Sequence, residues 1–368
     1  MTELQRSVDR IAKNVSDTYS VLSELGADIP DKQNSGNLAP TAETVADRVD
    51  YQTELIDQLF QLLENKSLSG TDAEDRLFLR ALTTYSNDRV TVTGAYALAL
   101  CDPLIAVNLP NVVNIAEGSF YFCTNLKTVD IPNAQMIGES AFTGCAFEEV
   151  DFPKVTIVDE DAFLSCGLKS VNLPAATRIG AYAFTGCEDL ETVDLPAAET
   201  VGTGAFSECD HLVSASLPRV TTISDRMFND CVSLVDVSIP EATTVGSYAF
   251  RYDRSLVSVD LPKVTEVGSN AFYEAKGLTY MDLPKVTSIG ASAFYYCSAL
   301  ETVILRSEAM ATLGNTSVFD KTPIAEGTGY VYVLSTLVDT YKADSRWSEY
   351  ANQIRAIEDY PEITGGVA

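Results

Sequence analysis

The middle of the chain repeats one order of hydrophobic and polar positions about every 22 residues. A hydrophobic residue followed by proline recurs in steps of 21 or 22 residues, and a phenylalanine follows ten residues after each proline. A fixed period of this length predicts a solenoid, in which each turn of chain stacks on the turn before it. The nine prolines are Pro110, Pro132, Pro153, Pro174, Pro196, Pro218, Pro240, Pro262 and Pro284.

Each repeat reads Leu-x-x-Val-x-Leu-Pro-x-Val-Thr-x-Ile-Gly-x-x-Ala-Phe-x-x-Cys-x-x. The Val-x-Leu segment has the period of a short strand with both apolar side chains turned inward. Proline has no N–H to donate, so it ends the strand. The glycine six residues later, as at Gly138 and Gly246, predicts a corner with a positive φ. Stacking then places Leu on Leu, Val on Val and Phe on Phe beneath a parallel sheet.

These motifs resemble the BspA-like, or Treponema-type, leucine-rich repeat family over about residues 95–306. The elements that carry the resemblance are Val-Asp-Leu-Pro, Ile-Gly and Ala-Phe-x-x-Cys. It implies an α/β leucine-rich-repeat solenoid that is rich in β-strand, with turns of 21–22 residues and a parallel sheet. It also implies adhesion or the recognition of proteins or matrix, although a repeat fold alone does not name a partner.

Segments with different patterns flank the solenoid. Residues 1–90 carry apolar positions in steps of three and four, which predict an α-helical region that attaches or oligomerises the chain and covers the first turn. Residues 91–306 form about ten turns, and residues 307–368 form a C-terminal cap with a strand, short helices and the single Trp347. The predicted oligomerisation seam consists of Leu4, Val8, Ile11, Val15, Leu22 and Leu25.

A stretch within residues 11–38 resembles the N-terminal segment of phage or prophage tail and fibre proteins of Gram-positive hosts. That resemblance implies a virion structural protein that recognises the host and contacts other virion proteins through its N-terminal helices. The seam residues mix preferences for two and three strands, and the fibre analogy favours a homotrimer. The alternative is a bacterial BspA-like adhesin or protein-interaction scaffold, located at the cell surface or in the cytoplasm.

The net charge and the hydropathy of the chain limit the kinds of partner that it can bind. The chain has 52 acidic and 25 basic residues, a net charge of −27, which disfavours nucleic acid as a partner. The N-terminus lacks an apolar run of signal-peptide length, and no segment has the pattern of a membrane span, so we expect no membrane insertion. Virion proteins leave the cell by lysis and need no signal peptide.

The eight cysteines occupy one position of the repeat, three residues after the phenylalanine. Asp253 and Ala275 fill that position in two turns, which indicates a small buried packing site rather than a disulfide framework. Cysteines stacked in register also have poor geometry for disulfides. The column consists of Cys101, Cys123, Cys145, Cys166, Cys187, Cys209, Cys231 and Cys297.

Candidate chemistry is sparse. The single histidine, His211, lies at a position that varies from turn to turn, which predicts an exposed side chain. The sequence has no phosphate-binding loop, no Cys-x-x-Cys pair and no nucleophile-elbow motif. We therefore expect no catalytic residue, no metal site and no cofactor.

Two surface features remain as candidate binding sites. The residue between the inward Val and Leu of each strand faces solvent, and it is often an aspartate. This column either binds cations, basic peptides or sugar hydroxyls, or only keeps the exposed sheet soluble. Tyrosines crowd the last turns, where they either contact a protein or glycan or pack on the cap. The candidate residues are Asp130, Asp151, Asp194, Asp260, Asp282, Tyr280, Tyr252, Tyr273 and Tyr295.

Overall fold

The computed structural model describes residues 83–364, in which similar turns of chain stack one on the next. Most turns contribute a three- or four-residue strand to a first sheet and a two-residue strand to a second sheet, and the turn that carries β16 has no first-sheet strand. The first-sheet strands are β1 (Thr84–Ser86), β2 (Ala106–Asn108), β4 (Thr128–Asp130), β6 (Glu149–Asp151), β8 (Ser170–Asn172), β10 (Thr192–Asp194), β12 (Ser214–Ser216), β14 (Asp236–Ser238), β17 (Tyr280–Asp282), β19 (Thr302–Leu305), β21 (Tyr330–Val333) and β22 (Ile354–Ala356).

The second sheet follows the proline in each turn. Its strands are β3 (Asn114–Ile115), β5 (Met136–Ile137), β7 (Ile157–Val158), β9 (Arg178–Ile179), β11 (Thr200–Val201), β13 (Thr222–Ile223), β15 (Thr244–Val245), β16 (Glu266–Val267), β18 (Ser288–Ile289) and β20 (Thr312–Leu313).

All strand pairs are parallel, and equivalent repeat positions pair with each other. In the first sheet Val107 lies opposite Val129, and Met281 lies opposite Val303. The first sheet consists of the runs β1-β2-β4, β6-β8, β10-β12-β14 and β17-β19-β21-β22, and the second sheet of the runs from β3 to β11 and from β13 to β20. The predicted parallel leucine-rich-repeat solenoid is confirmed.

The core is a column of stacked rings running the length of the solenoid. Neighbouring phenylalanines from Phe120 to Phe319 lie 5.1–5.8 Å apart between ring centroids, and their planes are nearly parallel. The rings are fully buried, as are the inward leucines of the strands. One turn alone would leave this apolar surface in water, so the stability of each turn depends on its neighbours.

The prediction of a positive φ at the repeated glycine is wrong. The positive φ angles lie instead two residues before and two residues after each stacked phenylalanine from Phe120 to Phe294, as at Gly118 and Phe122 around Phe120. The repeated glycine serves close packing of backbones. A Cβ on Gly268 would lie 2.5 Å from the carbonyl carbon of Gly246 in the preceding turn. At Gly268 the missing side chain lets the two backbones approach this closely, whereas Ala116, Asp159 and Ser224 fill the same position in other turns.

The parallel sheet extends beyond residues 91–306 at both ends. Strand β1 already pairs with β2, and β19 pairs with β21 in the C-terminal region. The helices there are α1 (Pro323–Glu326), α2 (Val338–Ala343) and α3 (Pro361–Thr364), with 3-10 turns at Ser335–Leu337, Ser348–Gln353 and Ile357–Asp359. Up to residue 364 this region contains strands as well as short helices.

Trp347 anchors the C-terminal end of the core. Its ring is fully buried, and its centroid lies 5.9 Å from the ring centroid of Phe319, the last phenylalanine of the column. Its Nε1–H donates to the carbonyl oxygen of Ala311 over 2.7 Å, and the N–H of Ala311 donates to the hydroxyl of Tyr341. These contacts give the last turn the apolar and polar partners that a further repeat supplies elsewhere.

The predicted N-terminal helices and the seam from Leu4 to Leu25 lie outside the described residues. The segment that resembles phage tail proteins lies outside them as well. None of the helices within residues 83–364 has the length and apolar character needed to span a bilayer.

Candidate functional site

The outer face of the first sheet carries the predicted aspartate column. Asp130, Asp151, Asp194 and Asp260 are exposed, whereas Asp282 is half-buried. The column is interrupted by amide and hydroxyl side chains, and Asn172 Nδ2 donates to Asp151 Oδ1 over 2.8 Å. These interruptions reduce the repulsion between stacked carboxylates.

Tyr280 lies on the outer face of β17 and is 36% exposed. Its hydroxyl donates to Asp282 Oδ2 over 3.4 Å, and the same carboxylate accepts from Arg306 Nε over 3.0 Å. Arg306 also donates to the carbonyl oxygen of Ile363. Tyr280 therefore stands beside a carboxylate that is neutralised by an arginine, and not beside an isolated negative charge.

The C-terminal segment covers the outer face of the sheet beyond β17. Ile304, Tyr332 and Ile357 form a small buried cluster there, and Tyr360 and Ile363 pack against it. Among residues 83–364, none of the segments covers the outer face from β1 to β17 in this way, and Tyr280 lies at the border of the covered part.

A column of exposed valines runs beside the sheet face in the middle turns. Val213, Val235 and Val257 are 46–49% exposed, and the N–H of Val235 donates to the carbonyl oxygen of Val213 over 3.0 Å. Ile105 fills this position near the N-terminal end, and charged or polar residues such as Lys127 and Lys169 fill it in the other turns. Three consecutive turns in the middle of the solenoid therefore expose an apolar side chain here.

The remaining side of each turn, between the second-sheet strand and the cysteine position, is here called the loop side. Three predicted site residues meet on it: Tyr273 and Tyr295 stack with ring centroids 5.1 Å apart, and Tyr252 meets Tyr273 edge-on at 5.9 Å. Tyr280 belongs to the first sheet and has its contacts with Asp282 and Arg306. The structure thus separates the predicted tyrosines into two groups.

Arginines surround this tyrosine stack, and they were missed by the sequence reasoning. Arg251 lies with its guanidinium carbon 4.2 Å from the ring centroid of Tyr252 and 5.5 Å from that of Tyr248. Arg226 lies 5.1 Å from the Tyr248 centroid. The signal that could have found them is the sequence Tyr-Ala-Phe-Arg-Tyr-Asp-Arg at 248–254. We call the group Arg226, Tyr248, Arg251, Tyr252, Tyr273 and Tyr295 the Tyr–Arg patch.

The cysteine column lies between the loop side and the first sheet and is buried along its length. The thiols donate to backbone carbonyl groups of neighbouring turns, as from Cys187 Sγ to Phe163 O over 3.2 Å. Burial raises the pKa of Cys145 and of Cys187 to about 12. These groups stay protonated near neutral pH, so they do not act as nucleophiles or metal ligands there.

A family model described as BspA type leucine rich repeat region matches six copies in this chain. The matched ranges are residues 79–166, 135–257 and 221–328, which together cover more than half of the sequence. The chain belongs to the BspA-type leucine-rich repeat family. No curated protein matches it.

Several solved structures are similar to this BspA-type chain. A leucine-rich repeat protein from Bacteroides ovatus is 22% identical over 76% of this chain and 84% of its own, with a TM-score of 0.42. A leucine rich cell surface protein from Faecalibacterium prausnitzii is 24% identical over 63% of this chain and 82% of its own, with a TM-score of 0.37. A T. pallidum leucine rich repeat protein is 22% identical over 53% of this chain and 78% of its own, with a TM-score of 0.34.

The BspA-type solenoid offers little for catalysis in its described part. His211 is exposed, and its Nδ1 lies 2.8 Å from the carbonyl oxygen of Glu188. Within residues 83–364, no three His, Cys, Asp or Glu side chains converge in a way that could hold a metal ion. What the described surface offers is exposed side chains at regular spacing.

Proposed function

We propose that this BspA-type chain is a non-enzymatic binding protein of the adhesin kind, which presents exposed surfaces of its solenoid to a host-surface protein or glycan. The observation that carries the proposal is the contrast between the buried and the exposed positions of the repeat. Inward positions repeat the same residues turn after turn, whereas Tyr280 stands 36% exposed at a position where sister turns carry Thr128, Ser170 or Thr192. The fold does not need that ring, and exposed tyrosines supply contact area in interfaces.

The open part of the first sheet supports the same function. Between β1 and β17 its outer face presents small polar residues, aspartates and the valines Val213, Val235 and Val257. A rigid face with apolar residues inside a polar surround suits protein recognition. The reactive groups of the described residues offer no comparable support for catalysis, because the thiols are buried and His211 lacks a nucleophile beside it.

A second candidate function is that of a phage or prophage virion protein. The observation that favours it is the resemblance of residues 11–38 to the N-terminal segments of tail and fibre proteins. In that setting the N-terminal helices would join the chain to other virion proteins as a homotrimer, and the solenoid would bind the host. The genes beside this one discriminate the two settings: tail or capsid genes support the virion, and a secretion-linked cluster supports the adhesin.

The binding function is tested with purified, fluorescently labelled full-length protein. It is applied to host cells, to immobilised extracellular-matrix proteins and to a glycan array, with heat-unfolded protein as the control. We expect saturable binding to at least one of these targets, abolished by unfolding. Binding that does not saturate on any target would contradict the proposal.

A further inference from the structure

We propose that the Tyr–Arg patch on the loop side binds an acidic segment of a partner protein. The inference rests on the proposed binding function and names the surface and the chemistry that it would use. The patch lies on a different side of the turns from Tyr280, so the two surfaces are separable by mutation.

The fold does not require the patch residues. Tyr252 has a φ of +68° two residues after Phe250, a position that Gly144 and Gly186 fill in other turns. Non-glycine residues such as Ser165 and Glu208 hold the same positive φ in other turns, so this conformation belongs to the fold. Arg251 stands at a position that Thr143 fills elsewhere. The large side chains of Arg251 and Tyr252 therefore stand where small ones suffice for the backbone.

The contacts within the patch decide what it offers to a ligand. The face of Tyr252 is covered by Arg251, whose Nη2 donates to the Tyr252 hydroxyl over 2.7 Å. Tyr273 and Tyr295 each cover one face of the other. With these faces occupied, the polar groups that the patch offers are phenol hydroxyls and the remaining guanidinium N–H groups. Carboxylates accept hydrogen bonds from hydroxyls and guanidinium groups alike, and the bonds to guanidinium are charge-assisted.

The charge of the patch contrasts with that of the chain. In a protein of net charge −27, Arg226, Arg251 and Arg254 lie against Tyr248 and Tyr252 on the loop side. A ligand with carboxylates is therefore attracted locally although the molecule as a whole repels anions.

The carboxylates near the patch favour a peptide over a densely charged polymer. Asp225 and Asp230 flank the patch, and Glu274 pairs with Lys276 over 3.0 Å. A sulfated glycan would meet these carboxylates with repulsion along its length, whereas a peptide can place its acidic side chains apart. Tyrosine and arginine are also the residue types that concentrate at the centres of protein interfaces.

The backbone holds the patch in place before any ligand arrives. The N–H of Tyr252 donates to the carbonyl oxygen of Tyr273 over 2.9 Å, and the N–H of Glu274 donates to that of Tyr295 over 2.9 Å. Side chains ordered in advance lose less conformational entropy on binding.

The test uses full-length protein and three labelled probes in fluorescence anisotropy titrations. The probes are a short peptide alternating Glu and Val, the same peptide with Gln in place of Glu, and a sulfated oligosaccharide. We expect the Glu peptide to bind at about 0.1 M salt and to lose affinity toward 1 M, where screening shortens the range of charge interactions. The Gln peptide should bind at least about tenfold more weakly, a difference of about 1.4 kcal/mol.

The variant that tests the surface is Arg251→Thr combined with Tyr252→Gly, both residue types of sister turns. Its matched control is Tyr182→Ser, which removes a loop-side tyrosine outside the patch. The double variant should bind the Glu peptide at least about tenfold more weakly, as for loss of a central interface residue, while the control binds like wild type. Melting curves check that both variants are folded.

Three results would overturn the inference: equal binding of the Glu and Gln peptides, unchanged affinity of the folded double variant, or binding of the oligosaccharide without the Glu peptide. The same variants are then applied to the host-cell and matrix targets. If wild type and double variant bind those targets equally, the Tyr–Arg patch is not the surface that binds them, and the proposed binding function is still supported. If wild type binds none of them, the binding function itself fails, whatever the peptides do.

Discussion

The backbone N–H of Cys231 donates to Asp253 Oδ1 over 2.9 Å, and Asp253 occupies the cysteine position of the following turn. Asp253 is fully buried, and its Oδ2 has no hydrogen-bond partner among the residues that the structure describes. Burial raises the pKa of the Asp253 carboxyl well above its ordinary value. A carboxyl group therefore stands in a column of thiols that needs only a small, neutral side chain.

We predict that Asp253→Cys stabilises the protein at neutral and alkaline pH. Between the unfolded pKa of about 3.9 and the raised folded pKa, the folded state binds more protons, so the free energy of unfolding falls as pH rises. Replacing Asp253 removes this pH-dependent loss. The free energy of unfolding should therefore rise by about 1–3 kcal/mol near pH 8 and change little near pH 4. Denaturant unfolding at both pH values measures it.

The matched control for that prediction is Asp236→Ser, which removes an exposed carboxylate of β14 and introduces the residue of sister turns such as Ser214. Its effect should stay within about 0.5 kcal/mol at both pH values. If Asp253→Cys is no more stable at pH 8 than at pH 4 relative to wild type, Asp253 is not buried as a carboxyl group.

The cysteine column should be inert in the folded protein. The thiols are buried and donate to backbone carbonyl groups, and burial raises the pKa of Cys145 to about 12. A thiol reagent at pH 8 should therefore react with few groups in the native protein and with all eight cysteines in denaturant. Fewer than eight reactive thiols in denaturant without reductant would point to disulfides and contradict the packing account.

Gly268 should tolerate no side chain, although Ala116, Asp159 and Ser224 fill the same position in other turns. In Gly268→Ala the new Cβ would lie 2.5 Å from Gly246 C and 2.6 Å from Ser247 N, so one backbone must move. We expect a loss of about 1–3 kcal/mol, as for other overpacked sites, measured by thermal or denaturant unfolding. The control is Gly167→Ala, whose Cβ would meet nothing closer than Ala146 O at 3.8 Å and should change stability by less than about 1 kcal/mol. Equal losses of stability in the two variants would contradict the close-packing role of Gly268.

The oligomeric state stays a prediction from the sequence. The seam from Leu4 to Leu25 has the spacing of a short coiled coil, and the analogy with fibres favours three chains. Light scattering on the full-length protein should give a mass near three times that of one chain. A monomer would mean that the seam packs within its own chain.

The sequence predicts the solenoid well because one turn repeats. The inward Val and Leu of each strand and the column from Phe120 to Phe319 follow directly from the period, since in-register stacking brings equal positions together. The second sheet was not predicted. Its strands, such as Met136–Ile137, are two residues long and too short to show an alternation of their own.

The roles of individual outward residues were harder to predict. The glycine column was assigned a positive φ because glycine serves both conformational freedom and close packing, and a sequence does not distinguish the two. The pairing of Asp282 with Arg306 joins residues 24 positions apart at the irregular end of the repeat. The contacts of Arg251 with Tyr248 and Tyr273 depend on how the loops project, which the period leaves open.

The measurement that tests the central claim most directly is binding of wild type beside Tyr280→Ser, with melting curves for both. The variant carries the residue type of sister turns, and its binding to the host-cell, matrix or glycan target should weaken by about 1–2 kcal/mol, as for an exposed interface tyrosine. The melting temperatures should stay nearly equal, because Tyr280 is 36% exposed. Unchanged binding would contradict the role of the sheet face, and a large drop in melting temperature would show that Tyr280 serves stability instead.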